Sequence, residues 1–492
     1  MAAKQQGADL RTRAIKSLGW LLSFRLGSQV LSWIVTIYIA RFLTPADYGI
    51  FAMALTVVAG IELLRELGMG SAIIQRKDLT AQHLNTIFWI VAIVSTTLVI
   101  VLWVGAELAA SFYAEPRLFW VIRILGLNVL FNVVGFIPYS LLTKEIDFRR
   151  RSVAAMMGAL SSSVVAVILA YQGYGVWALI AGQLTNAAIF NAALVLAARW
   201  LPGFQLSFQN MGAILKFGLR LGAVSAIALC SPITNRILVG RFLGGSALGL
   251  FTMAEALAEV PHKLSSAVIH QLSLPIFSKL QNEDAELRKY FLKITKYVAL
   301  ATVPAQIGMA LVAHDLVVLL LTAEWAPMVT LFQIFCVGNL FHVLSLPPYP
   351  LLTARGRAKT LLRLNVAAAV VTAAAIVLAA QINVLAVAIA WLIAFVTFKI
   401  ALLFLALREM GITGRSYIRN ISASLVGTLV MSAAVLTSQS ASIGFSQELE
   451  RLAFEIALGI SVYLAIVFWV DTKLAAEIRG IARDMVRPPA PS

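Results

Sequence analysis

The sequence predicts an all-α, polytopic membrane protein of about fourteen transmembrane helices, in two parallel six-helix repeats plus two C-terminal helices. Composition points there first. Of 492 residues, 60% are AVILMFWYC and 13% are Asp, Glu, Lys or Arg, with mean hydropathy +0.88. That leaves too few charged side chains to coat several soluble globules, so lipid has to be part of the solvent. Apolar runs and loop charge supply the second observation, and an internal repeat supplies the third.

A span needs roughly 20 mainly apolar residues. Charged and Gly/Pro-containing breaks divide the chain into runs near 17–40, 49–72, 85–106, 118–142, 153–171, 176–198, 217–240, 247–274, 291–313, 327–352, 361–380, 384–407, 417–437 and 452–470. The first follows Lys4, Arg11, Arg13 and Lys16 and lacks a small-residue cleavage site, so it reads as a retained span rather than a signal peptide. Loop charge tests the division, because one missed or invented span would invert every later loop. Loops and adjoining run ends on the N-terminal side hold 29 Lys and Arg, including Arg76-Lys77, Arg149-Arg150-Arg151 and Arg355/Arg357/Lys359. The other side holds four: Arg41, Arg117, Arg241 and Arg451. Both termini are therefore expected in the cytoplasm. The net charge of +16 is explained as a topology signal, which removes the argument for nucleic acid as a partner. Cys230 and Cys336, both in apolar runs, support neither a disulfide framework nor a thiolate metal site.

Residues 41–54, RFLTPADYGIFAMA, match 241–254, RFLGGSALGLFTMA, at a shift of 200. Arg41/Arg241, Phe42/Phe242, Leu43/Leu243, Gly49/Gly249, Phe51/Phe251, Met53/Met253 and Ala54/Ala254 are identical. A second echo, Pro138-Tyr139-Ser140-Leu141-Leu142-Thr143 against Pro348-Tyr349-Pro350-Leu351-Leu352-Thr353, follows at a shift of 210. Six spans thus repeat as six, and an even number makes the repeat parallel, about an axis along the membrane normal. The expected organisation is an N-lobe over 1–205, a C-lobe over 206–410, two extra spans over 411–470 and a basic cytoplasmic tail over 471–492. Two such bundles enclose a central cavity, the architecture of alternating-access transport.

Polar groups inside spans are costly unless they face protein or water, which makes each one a candidate. Arg25, Ser28, Gln29, Ser32 and Thr36 recur at helical spacing, either as a cavity-lining stripe or as polar glue between helices. Glu62, Arg65 and Glu66 share one face of the second span, as a substrate site or a structural ion pair. The eighth span carries Glu255, Glu259, His262 and Lys263. Two carboxylates one turn apart raise the proton affinity of one of them, unless Lys263 or an arginine neutralises the pair. Arg236 follows Pro232, Thr234 and Asn235 in a kink-prone stretch beside the cavity. Arg123 and Lys399 are better read as snorkelling to headgroups, and Asn128 with Asn132, like His342 with Asn339, as interhelical hydrogen bonding.

Six cations, Arg25, Arg65, Arg123, Arg236, Lys263 and Lys399, stand within spans against four clear acids. An anion is favoured, and arginine forks suit phosphate or pyrophosphate. An inside-negative potential assists, since each negative charge moved outward gains about 2.3 kcal/mol per 100 mV. The candidate substrate-binding set is Arg25, Gln29, Glu62, Arg65, Glu66, Arg236 and Lys263, with Glu255 and Glu259 as the ion-coupling pair. No catalytic set, metal site or cofactor is expected.

Ala40-Arg41-Phe42-Leu43-Thr44-Pro45-Ala46-Asp47-Tyr48-Gly49, followed by Glu66-Leu67-Gly68-Met69-Gly70-Ser71-Ala72-Ile73-Ile74-Gln75-Arg76-Lys77, resembles the start of polysaccharide-transporter family members, the Wzx-type oligosaccharide flippases. The likeness continues through Gly175-Val176-Trp177-Ala178-Leu179, Asn235 to Arg241, Leu274 to Gln281 and Glu324-Trp325-Ala326-Pro327. It covers roughly residues 15–410 and is strongest to the colanic-acid-exporter-like subgroup; spans thirteen and fourteen match only in number. The resemblance implies the fold of the multidrug/oligosaccharidyl-lipid/polysaccharide exporter superfamily and a bacterial inner-membrane location. It also implies movement of undecaprenyl-pyrophosphate-linked glycans to the periplasmic leaflet for lipopolysaccharide O-antigen, capsule or exopolysaccharide. A polysaccharide polymerase or ligase is the class of partner that would take the product. Coupling to H+ or Na+ is expected for the superfamily but varies among its branches.

Two departures stand out. Asn235 occupies the place where the family often has an acid, and Ala323-Glu324-Trp325 the place of a Gly-Lys-Trp-like segment. Arg65 sits where related peptidoglycan-precursor flippases also carry basic residues. An ion-coupled multidrug or metabolite exporter of the same fold is the alternative, but a drug/sodium antiporter would favour a net acidic cavity. A membrane-embedded glycan polymerase needs a positioned acid/base site, commonly on a large outer loop. The outer loops here are short, and Glu283-Asp284 lies among lysines on the inner side.

Overall fold

The apolar runs read from the sequence are helices in the computed structural model, which describes residues 32–66, 69–76, 79–208, 211–263, 273, 276–281, 283–441 and 448–471. Among the described residues there is no β-strand, and twelve helices are long and apolar enough to cross a membrane. Most of the predicted run 17–40 lies outside the described residues. The predicted runs 217–240 and 247–274 join in one helical stretch, Met211–Ala258, broken at Gly244 where φ is 82°.

The chain divides into two units, Met1–Thr252 and Met253–Ser492. The first contains α1 (Pro45–Glu66), α2 (Met69–Gln75), α3 (Ala81–Tyr113), α4 (Leu118–Leu125), α5 (Leu127–Lys144), α6 (Phe148–Tyr171) and α7 (Val176–Ala198). Helix α8 (Met211–Ala258) runs through the division. The second unit contains α9 (Asp284–Leu311), α10 (Ala313–Leu320), α11 (Val329–Leu344), α12 (Pro348–Ala354), α13 (Ala358–Ala379), α14 (Val384–Glu409), α15 (Gly414–Ser440) and α16 (Glu448–Val470).

Short polar side chains start these helices by accepting from backbone N–H groups that have no partner of their own, each cap contributing about 1 kcal/mol. Thr80 and His83 form a reciprocal capping box at α3, Asp147 accepts from the Arg150 N–H at α6, and Asn383 from the Ala386 N–H at α14. Thr44 and Asp47 exchange hydrogen bonds at the start of α1.

Both sequence echoes have structural counterparts. In the second, Thr143 Oγ1 donates to Tyr139 O at 2.6 Å, and Thr353 Oγ1 to Tyr349 O at 2.9 Å. A left-handed residue then turns the chain, Ile146 in one copy and Gly356 in the other. Asp147 N reaches back to Leu142 O at 3.0 Å, and Arg357 N to Leu352 O at 2.9 Å. In the first echo the two copies touch. A Cβ added to Gly49 would lie 1.8 Å from Gly245 O, and one added to Gly249 would lie 1.8 Å from Pro45 O. Only glycine permits backbones to approach this closely.

Packing explains why the first unit continues past residue 205. The connecting segment is strapped to the start of α3: Gly203 N donates to Asn85 Oδ1 at 3.0 Å, Ser207 N to Thr86 Oγ1 at 2.8 Å, and Trp89 Nε1 to Gly203 O at 3.0 Å. Met211 and Ile214 of α8 then join Met69, Ile73, Phe88 and Phe136 in one apolar cluster. In the second unit, α15 and α16 dock on α9 through side chains that reach its carbonyls. Ser424 Oγ donates to Ala299 O at 2.8 Å and Tyr463 OH to Leu300 O at 2.7 Å. Arg451 ties α16 to Asp315 of α10, and Gln439 Nε2 of α15 donates to the buried Glu455 Oε2 at 3.0 Å.

Candidate functional site

The predicted site residues fall in two groups, one in each unit. In the first unit, Glu62 near the end of α1 is half-buried and accepts from Asn132 Nδ2 of α5 at 2.7 Å. Asn132 Oδ1 accepts from Asn191 Nδ2 of α7 at 3.1 Å, and Asn191 Nδ2 also donates to Ala187 O at 2.7 Å. A carboxylate and two amides thus link three helices, the interhelical role expected of Asn132. Glu62 takes this partner from another helix, where the sequence pattern had offered Arg65 or Glu66 one turn on. Gly135 makes room for the chain: a Cβ there would fall 1.8 Å from Asn191 Oδ1.

Arg65, one turn after Glu62, is only 5% exposed, and its guanidinium lies 5.9 Å from the Phe136 ring centroid. A guanidinium beside an aromatic face is attracted to the ring's π-system. Glu66 ends α1, and its side chain lies outside what is described. Arg25 and Gln29 also lie outside the described residues. Arg236 is half-buried within α8, beside the buried Asn235 and one turn after Pro232.

In the second unit, Lys263 Nζ contacts Glu259 Oε2 at 2.9 Å, so Glu259 has a counter-ion one turn along its own helix. Glu255, one turn earlier, is half-buried. The ring of His262 stands 4.0 Å from that of His342 on α11, tilted by 51°. His342 in turn lies 5.6 Å from Phe395 of α14, and Lys399 Nζ sits 4.9 Å from the same Phe395 centroid. Trp391 stacks on Phe395 at 4.6 Å.

Sequence reading grouped His262 with the carboxylates but treated His342 and Lys399 separately; the structure sets His262 against His342 and brings His342 and Lys399 to Phe395. The signal available was the spacing Trp391, Phe395, Lys399, which puts them on one helical face. Asn191 carried no signal beyond being a polar residue in an apolar run. Among the described residues no group of three or more His, Cys, Asp or Glu side chains is placed to hold a metal ion.

Residues 38–330 match the family described as Polysaccharide biosynthesis protein. The chain belongs to this family. Among curated relatives, it is 24% identical over 311 residues to the succinoglycan biosynthesis transport protein ExoT of Rhizobium meliloti (strain 1021), a match covering 63% of each chain. It is 28% identical over 313 residues to the teichuronic acid biosynthesis protein TuaB of Bacillus subtilis (strain 168), covering 62% of this chain and 63% of that one. It is 24% identical over 360 residues to the lipopolysaccharide biosynthesis protein WzxC of Escherichia coli (strain K12), covering 73% of each. The match thus spans under two thirds of the length of the first two relatives.

Among solved structures, the lipid II flippase MurJ in an inward closed conformation superposes with a TM-score of 0.75 at 14% identity, covering 93% of this chain and 99% of that one. An inward-facing multidrug resistance transporter of the MATE family, MOP superfamily, gives a TM-score of 0.62 at 15% identity, covering 79% and 98%. These likenesses establish the fold, an all-α architecture shared with those transporters; the twelve apolar helices and the family match make the chain a multi-pass membrane protein.

Proposed function

We propose that this protein is a flippase that carries oligosaccharide repeat units linked to undecaprenyl pyrophosphate across the bacterial inner membrane, from the cytoplasmic to the outer leaflet, for surface polysaccharide synthesis. The family match over residues 38–330 carries this reading, together with relatives named for succinoglycan transport and lipopolysaccharide biosynthesis. The buried Arg65 fits the anionic end of such a substrate. In a low-dielectric site a fork of N–H donors binds pyrophosphate oxygens strongly.

In this reading Arg25, Gln29, Arg65, Arg236 and Lys263 attract the pyrophosphate, while Glu62 and Glu66 orient the polar head. The polyprenyl tail stays in lipid, and both termini are cytoplasmic. Proton or sodium coupling is assigned to Glu255 and Glu259, with His262 and His342 as neighbouring proton acceptors. The product passes to polymerase or ligase machinery.

Reconstitution tests the reading. Purified protein in liposomes is expected to move a fluorescent undecaprenyl-pyrophosphate-linked sugar between leaflets, measured by its accessibility to a membrane-impermeant quencher. Movement no faster than in protein-free liposomes would refute it.

A further inference from the structure

Arg123 takes no part in the Glu62–Asn132–Asn191 chain of its own unit. It is in the last turn of α4, and its backbone carbonyl accepts from Trp103 Nε1 of α3 at 2.9 Å. The exchange is reciprocal, because Arg123 Nε donates to Trp103 O at 3.2 Å. The guanidinium is further held 3.9 Å from the Phe119 centroid and 5.6 Å from that of Trp120. Nε is therefore engaged and the plane of the group is fixed, while no carboxylate or carbonyl among the described residues accepts from Nη1 or Nη2.

The surroundings specify the ligand. Trp103 and Trp120 are 44% and 58% exposed, on a surface that also exposes Ile93, Ile100, Val104 and Leu108. Such a surface faces acyl chains. Glu107, four residues after Trp103, is exposed at the end of the predicted apolar run, which puts Trp103 about 6 Å inside the boundary of the hydrocarbon core. Loop charge makes this the outer boundary. Trp103 thus lies about one helical turn below the interfacial belt, and the phospholipid phosphates lie above it on the same side.

We infer that Arg123, Trp103, Phe119 and Trp120 form a binding site for the phosphate of an anionic phospholipid in the outer leaflet. A snorkelling arginine needs only a flexible stem. Here the stem is fixed by the Trp103 exchange and the aromatic stack, so the two terminal nitrogens are presented as a preorganised fork to the headgroup. The assignment does not depend on which substrate is carried.

The test is native mass spectrometry of the purified full-length protein titrated with phosphatidylglycerol or phosphatidylcholine. The wild type is expected to retain phosphatidylglycerol in preference to phosphatidylcholine. Arg123→Gln should weaken that retention about tenfold, the loss of a charge-assisted pair, and Arg123→Lys, which keeps the charge without the fork, should fall between. Arg117→Gln, at a residue paired with Glu115, should leave it unchanged. If Arg123→Gln does not fold, Trp120→Ala removes a lipid-exposed wall and should still weaken retention. Wild-type retention in Arg123→Lys and Trp120→Ala, equal binding of phosphatidylcholine, or displacement by millimolar inorganic phosphate would each overturn the assignment.

Discussion

Gly49 and Gly249 hold the same place in the two copies of the repeat, and each packs against the helix start of the other copy. The Cβ position of Gly49 falls on Gly245 O and that of Gly249 on Pro45 O, both at 1.8 Å. A shift of 200 exchanges the two contacts, so the repeat seen in the sequence is a local two-fold relationship in space. The copies differ in how they start the helix: Thr44 caps Asp47 in one, whereas Gly244 turns the chain with a positive φ in the other.

This close approach predicts that Gly49→Ala and Gly249→Ala each destabilise the protein by about 1–3 kcal/mol, the usual cost of overpacking. Gly60→Ala on the same α1, where an added Cβ meets nothing within 4 Å, should not destabilise and serves as the control. Thermal unfolding in detergent reads the difference. Equal melting temperatures for all three variants would contradict the contact.

The Glu62–Asn132–Asn191 chain separates charge from hydrogen bonding. Glu62→Gln keeps an oxygen to accept from Asn132 and should preserve stability, whereas Glu62→Ala leaves the half-buried Asn132 amide without this acceptor, at about 1–3 kcal/mol. If the negative charge orients the substrate, both variants lose polysaccharide export to the same degree. Full export by Glu62→Gln would reduce Glu62 to a packing role.

For the pyrophosphate contacts, Arg65→Gln and Arg236→Gln should each lower export about ten-fold or more, since a hydrogen bond to a charged group contributes about 1.5–3 kcal/mol. Membrane protein level, followed by immunoblot, should not change. Wild-type export from the triple variant that adds Arg25→Gln would remove the assignment.

Coupling has its own measurement. Collapse of the proton gradient in vesicles should slow transport by the wild type, and Glu255→Gln with Glu259→Gln should abolish that sensitivity. Glu259 is paired with Lys263, so the double variant also removes that cation's counter-ion, and Lys263→Gln in the same background removes the unmatched charge. Transport indifferent to the gradient would dismiss the carboxylates.

The last two helices are held by side chains on the carbonyls of α9. Tyr463→Phe removes the bond to Leu300 O and should cost about 1 kcal/mol. Hydrogen exchange should then quicken in α15 and α16 before it does in α1–α7.

Much of the fold was legible because hydrocarbon imposes it: apolar length marked the spans, and the 138–143 and 348–353 echo marked two segments that the structure closes alike, Thr143 on Tyr139 O and Thr353 on Tyr349 O. The division of the chain was less so. The sequence suggested a boundary near 205, but Asn85, Thr86 and Trp89 strap the connecting segment to α3 through backbone atoms, which leave no residue-type pattern. At the candidate site, residues on one helix could be grouped, as with Glu62 and Arg65. Contacts across helices could not: His262 meets His342 from eighty residues away in the chain, and Asn191 reaches Asn132 only because Gly135 lacks a side chain.

Deletion of the gene with complementation, followed by extraction of lipid-linked sugars and assay of surface polysaccharide, tests the flippase assignment most directly. Accumulated undecaprenyl-linked repeat units together with lost polymer, both restored by the wild-type gene, is the predicted result. Normal polysaccharide with no accumulated lipid-linked sugar would contradict it.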